Sequence, residues 1–266
     1  MSRPIPSYLS TLPVPSNLIR YTWDDWSIEA IEEPLDQELI KAIEKLPRRA
    51  GLAYCIGSGE WLVQRLSPFL ADEAPWLFLE ACWAMLIDHH YSNYGDGTGW
   101  AEYADEQWGG AIKGPVNRAM LIVESAILEV QWHLRPEPGS YARYVATAAA
   151  QVNKLTQHVL EDRTAFQRWS EQIISRLQSL YPLEAGDNLG DVVPPEVVDP
   201  LAQFDPLRTE SLVNAYLAGL NWTTNPFLSP PHAMVEIIED DIAFQGKPYR
   251  FEIEADRKGR HRLRPL

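Results

Sequence analysis

The densest cluster of chemistry-bearing side chains in this 266-residue chain is Asp88-His89-His90-Tyr91, with Glu80 eight residues upstream. Glu129 and His133 lie one helical turn apart, and Glu124 precedes them. Carboxylates and imidazoles buried together shift one another's proton affinities. Glu80, Asp88, His89, His90, Glu129 and His133 are therefore the candidate set for a metal-dependent or acid/base enzyme inside a helical bundle. A carboxylate-bridged metal site in a bundle draws a Glu from each of two helices plus paired Glu-x-x-His motifs. Here the spacing is Glu-x-x-x-His, and it occurs once. Histidines near a helix C-terminus also complement the negative end of its dipole without binding anything. The segment Cys55-Ile56-Gly57-Ser58-Gly59 resembles a nucleophile elbow only superficially, because Ile56 stands where that motif needs glycine. No Gly-Lys-Ser/Thr follows it, so it is not a phosphate loop either. The loop Tyr94–Trp100 lacks the alternating oxygen ligands and closing glutamate of a calcium site. On these patterns no catalytic residue, metal ligand or cofactor is assigned.

Charge says more. With 37 acidic and 23 basic residues the net charge is −14, which argues against a nucleic-acid partner, since phosphate-backbone affinity rests on surplus Lys and Arg. Between Arg20 and Lys41 stand Asp24, Asp25, Glu29, Glu32, Glu33, Asp36 and Glu38 with no base among them, and Trp23 and Trp26 are interleaved. A second acidic and aromatic stretch holds Trp100, Glu102, Tyr103, Asp105, Glu106 and Trp108. Glu236, Glu239, Asp240 and Asp241 form another acidic group, opposed by Lys247, Arg250, Arg257, Lys258, Arg260, Arg262 and Arg264 in the tail. Acids steer a basic surface into encounter, and tryptophans supply desolvated anchors. Trp23, Asp24, Asp25, Trp26, Glu29, Glu32, Glu33, Trp100, Glu102, Asp105, Glu106 and Trp108 are thus the expected partner-binding residues. The function expected is a non-enzymatic acidic module that neutralises or escorts a basic protein, as an immunity protein or antitoxin does to a toxin. The metal-dependent enzyme is the alternative. A receptor for a small molecule or peptide, lined by Trp83, Trp132 and Tyr91 around an apolar pocket, is the third reading.

The elements that must position these residues are mostly helical. Asp36 is the N-cap of a helix carrying Leu39, Ile40, Ile43 and Leu46 that Pro47 ends. Periodicity predicts further helices over 49–66, from Asp72 to about Tyr91, and over 115–134, 140–160, 163–180 and 207–220, with a short one through Ile238. The 115–134 helix is apolar around most of its circumference and is the expected centre of the bundle. Gly51, Gly57 and Gly59 predict the close approach of another backbone. Pro4, Pro6, Pro13 and Pro15 predict an extended, docked arm over 1–20. The fold class is therefore mainly α, a multi-helix bundle or an irregular array of helix pairs. Alternation of Ile242, Phe244, Tyr249, Phe251 and Ile253 adds a small C-terminal antiparallel β-sheet.

Three segments organise the chain: the arm and helical body over 1–181, a proline-rich ordered connector over 182–206, and short helices plus sheet over 207–266, packed on the body as one domain. A chain of this length buries roughly three quarters of the surface its unfolded form exposes, so the core needs neither disulfide nor metal. Two isolated thiols, Cys55 and Cys82, fit a reducing cytoplasm. The N-terminus lacks the apolar stretch of a signal peptide. Acids interrupt every apolar run before the ~18 residues a membrane span requires, so neither membrane nor nucleic acid is an expected partner.

Overall fold

The computed structural model describes residues 6–10, 18–88, 91, 99–104, 108–132, 140–183 and 189–229, with the backbone of 251–255 and 261–265. It is mainly helical. One turn at Ser7–Ser10 (α1) precedes the strap of residues 18–28; Glu29–Glu32 (α2) and Gln37–Ile43 (α3) follow. The body consists of Arg48–Leu66 (α4), Ala74–Ile87 (α5), the short Trp100–Tyr103 (α6), Gly110–Trp132 (α7), Ser140–Val159 (α8) and Thr164–Leu180 (α9). Thr209–Gly219 (α10) comes after the proline-rich connector.

Local chemistry sets the boundaries. Asp36 caps α3, its Oδ1 accepting from the Glu38 and Leu39 amides at 2.9 and 3.1 Å. Asp72 and Asp162 accept the first free amides of α5 and α9, those of Ala74 and Thr164, each at 2.8 Å. Apolar residues at helical spacing then choose the inward face. On α9 these are Phe166, Trp169, Ile173 and Leu177, all buried.

The centre of the bundle is α4, not the 115–134 segment. Seventeen of its 19 residues are buried, and α5, α7, α8 and α9 all pack around it. Its place was masked by buried polar residues, Ser58 and Glu60, that dilute its hydropathy. Small residues let its neighbours close in, but what enters is side chain rather than backbone. A Cβ at Gly51 would stand 2.8 Å from Val145 Cγ1 on α8, and one at Gly57 would stand 2.9 Å from Trp169 Cζ2 on α9. Rings of Tyr8, Tyr54, Trp61 and Phe166 cluster about Trp169, with Tyr8 and Tyr54 stacked on it at 5.9 and 5.5 Å.

Two further expectations need revision. The N-terminal arm is not wholly extended, since α1 forms a turn that buries Tyr8 and Leu9. Helix α7 begins at Gly110, five residues ahead of Pro115. Proline has no amide hydrogen to donate to the carbonyl four residues back, which is Ala111. The Tyr21 hydroxyl donates to that carbonyl instead, so the helix runs through the proline without an orphaned acceptor.

The connector is held by its apolar residues, Val192, Val193, Val197 and Val198 being buried. The Arg176 guanidinium on α9 donates to the carbonyls of Val197, Asp199 and Ala202, stapling its backbone. Beyond it, Val213 and Leu217 of α10 join the common core. Near the C-terminus the described backbone segments Phe251–Ala255 and His261–Pro265 lie antiparallel, Ile253 opposite Leu263. Ile242, Phe244 and Tyr249, and the helix expected through Ile238, lie outside the described residues. Among the described residues no helix is long and apolar enough to cross a membrane.

Candidate functional site

The acid-rich segment after Arg20 divides into residues that hold the protein together and residues that face solvent. Trp23 Nε1 donates to Asp25 Oδ1 at 2.6 Å, and Asp25 Oδ2 accepts the Gly110 amide at 2.7 Å. Asp25 therefore caps the start of α7 from 85 residues away. The strap lies directly on Gly114, where a Cβ would stand 2.2 Å from Trp23 Nε1. The structure thus gives Trp23 and Asp25 a positioning role: they clamp the strap to α7.

Glu32 turns inward. Its carboxylate accepts from both Nε and Nη2 of Arg118, the latter at 2.8 Å, and from Gln151 Nε2 at 3.4 Å. A carboxylate that is 4% exposed and bound by a planar guanidinium on two oxygens is a latch between α2, α7 and α8. It is not available to a partner. Trp100 and Trp108 also leave the expected surface. Both are buried and join Phe78, Tyr103 and Phe227 in a second aromatic cluster, with Trp100 and Trp108 edge to face at 4.8 Å. Surrounding acids misrepresent these two tryptophans: on α6 Trp100 turns inward while Glu102 and Tyr103 face out, and Trp108 packs against Trp100 from the segment ahead of α7.

What remains exposed is the acidic tip of the strap and its flanking acids. Asp24 Oδ1 accepts the Trp26 amide at 3.0 Å, and the Ser27 amide closes a turn onto the Asp24 carbonyl at 3.1 Å. Aspartate favours the first position of such a turn because its side chain bonds its own backbone two residues on. The turn presents Trp26 at its apex, 96% exposed. Asp24, Glu29 and Glu33 are exposed around it in sequence, and Glu102 is exposed on α6. Asp105 and Glu106 lie outside the described residues.

The alternative sites fare differently. Glu80 is buried and accepts from Asn225 Nδ2 at 3.0 Å. Glu124 accepts the amides of Trp100 and Ala101, so it caps α6; burial raises its carboxyl above the usual range, and the two amides partly offset this. Asp88 is buried, while His89, His90, His133 and the Glu129 side chain lie outside the described residues. Among the described residues no group of three or more His, Cys, Asp or Glu is placed to hold a metal ion. Trp83 and Tyr91, two of the three residues expected to line a receptor pocket, are wholly buried, and Trp83 Nε1 donates to Glu60 at 2.9 Å. The Trp132 side chain lies outside the described residues. Cys55 and Cys82 are free and buried; burial pushes the Cys55 thiol up to about 12. Two positioning residues were not singled out in the sequence: Arg118, which binds Glu32 of α2, and Tyr21 of the strap, which bonds the Ala111 carbonyl of α7; Pro115 was a usable signal for a carbonyl that needs an outside donor.

No known protein family, no curated protein and no solved structure matches this chain.

Proposed function

We propose that the protein is a non-catalytic acidic binding module that neutralises or escorts a basic protein partner, in the manner of an immunity protein or antitoxin. The observation that carries the reading is Trp26, a 96% exposed tryptophan at the apex of an anchored turn in an acidic segment. Leaving so large an apolar ring in water forfeits burial energy, and an aromatic anchor recovers it only when a partner covers it. The acids beside it, Asp24, Glu29 and Glu33, supply the attraction that steers a cationic surface to the ring. The clamp of Trp23, Asp25 and Gly114 supports the same reading, because a pre-ordered turn loses little entropy on binding. We place the protein in the cytoplasm, where Cys55 and Cys82 stay reduced. Its C-terminal segment we take to be a small antiparallel sheet.

The test is capture of basic proteins from the native host by wild type, Trp26→Ala and Glu29→Lys/Glu33→Lys, each at low and high salt. Trp26→Ala weakens association about tenfold or more, as loss of a central anchor does. The charge reversal abolishes it at low salt. Association that ignores both variants and the salt overturns the proposal.

A further inference from the structure

The opposite end of the strap carries the reverse charge. Arg20, Tyr21 and Thr22 cross the junction of α8 and α9 and enclose, with His158, Val159, Leu160, Glu161 and Arg163, a cleft of about 470 Å³. In a chain of net charge −14 this cleft is bordered by guanidinium groups. Arg20 lines it, two-thirds exposed, its Nε 4.0 Å from Glu161 Oε1. Arg65 lies beneath, 3.4 Å from the same oxygen, and also donates to the Leu18 carbonyl at 2.8 Å. Two guanidiniums thus already offset the one carboxylate in the lining. Arg163 is exposed and has no side-chain partner among the described residues. The neighbouring Asp162 carboxylate is turned to α9, where it accepts the Thr164 amide at 2.8 Å.

The walls are ordered by the fold rather than by charge. His158 Nε2 lies 2.7 Å from the Thr22 carbonyl, an acceptor only, so Nε2 carries the hydrogen and donates. The imidazole in turn packs edge to face on Tyr21 at 5.4 Å, and Tyr21 is fixed by its bond to Ala111. A volume of this size falls in the range of small-ligand sites and exceeds what a bare oxyanion fills.

We propose that this cleft binds a phosphate group, held between the Arg20 and Arg163 guanidiniums against the wall of Tyr21 and His158. Planar guanidinium forks match the oxygens of a phosphate, whereas a monovalent ion gains little from two of them. This inference is independent of the acidic tip and survives its failure.

The test is titration of isotopically labelled wild-type protein with inorganic phosphate, and separately with adenosine monophosphate, at ionic strength held constant with chloride. Saturable amide shifts at Tyr21, Thr22 and Arg163 are the expected result. Arg20→Gln and Arg163→Gln each raise the dissociation constant about tenfold; both side chains are exposed, so the variants keep the wild-type circular dichroism. Tighter binding of adenosine monophosphate identifies a phosphomonoester as the ligand, and equal binding identifies free phosphate. Shifts that do not saturate, or that match wild type in the Arg20→Gln/Arg163→Gln double variant, overturn the proposal.

Discussion

Replacing Gly114 with alanine separates a docked strap from a loose one by the sign of the effect. In a helix with nothing lying on it, this change stabilises by about 1 kcal/mol, because alanine loses less backbone entropy and shields the backbone better. Here the new methyl carbon would stand 2.2 Å from Trp23 Nε1, 2.6 Å from Asp25 Oδ1 and 2.8 Å from Trp23 Cε2. Those contacts lie well inside van der Waals distance, and overpacking of this kind costs about 1–3 kcal/mol. Pushing the strap away also frees the Gly110 amide from Asp25, a lost cap that costs roughly a further 0.5–2 kcal/mol. The balance is a net loss of about 1–3 kcal/mol. For a domain of this size that lowers Tm by roughly 2–6 °C. Thermal and urea denaturation followed by circular dichroism measures it. In a Trp23→Ala/Asp25→Ala background the obstruction is gone, and Gly114→Ala then stabilises by about 0.5–1 kcal/mol. If Gly114→Ala raises Tm in the wild-type background, the strap does not rest on α7, and the anchored turn that presents Trp26 goes with it.

The Glu32 latch gives a second expectation: Glu32→Ala costs about 1–3 kcal/mol in urea denaturation, less than the loss of a fully buried pair because the Arg118 side chain is 36% exposed and rehydrates. Trp26→Ala, in contrast, leaves the urea midpoint within about 0.5 kcal/mol of wild type, since an exposed ring contributes little to the core. Burial pushes the Tyr54 phenol and the Cys55 thiol up to about 12 from 10.0 and 9.0. The folded state therefore favours their neutral forms. Stability from these two groups is complete below pH 9 and is lost as pH rises from there through about 12. Urea midpoints measured across that window check it, and a midpoint that holds steady would count against their burial. In the same experiment Cys55 stays inert to thiol reagents until the protein unfolds.

Local signals were legible in the chain alone. Asp36 ahead of an apolar stripe, Pro47 between two helices and the regular apolar spacing of 163–180 each act within a few residues, so the sequence carries them whatever the rest of the molecule does. The mainly helical class follows from many such short-range preferences agreeing. The burial of the 182–206 valines was legible too, because four aliphatic residues without a helical period still need a dry place.

Which acids face water was not legible, because that depends on partners far away in sequence. Glu29, Glu32 and Glu33 are similar in composition and context, yet only Glu32 meets Arg118, 86 residues on, and turns inward. The amide that Asp25 caps belongs to a helix whose start the sequence placed five residues too late, at Pro115, and only the Tyr21 hydroxyl explains why that proline sits inside. Trp100 and Trp26 both stand among acids, but one completes an aromatic cluster and the other tops a turn. A side chain's charge and shape are written locally; whether it meets solvent or a complementary group is fixed only when the chain folds and brings distant partners together.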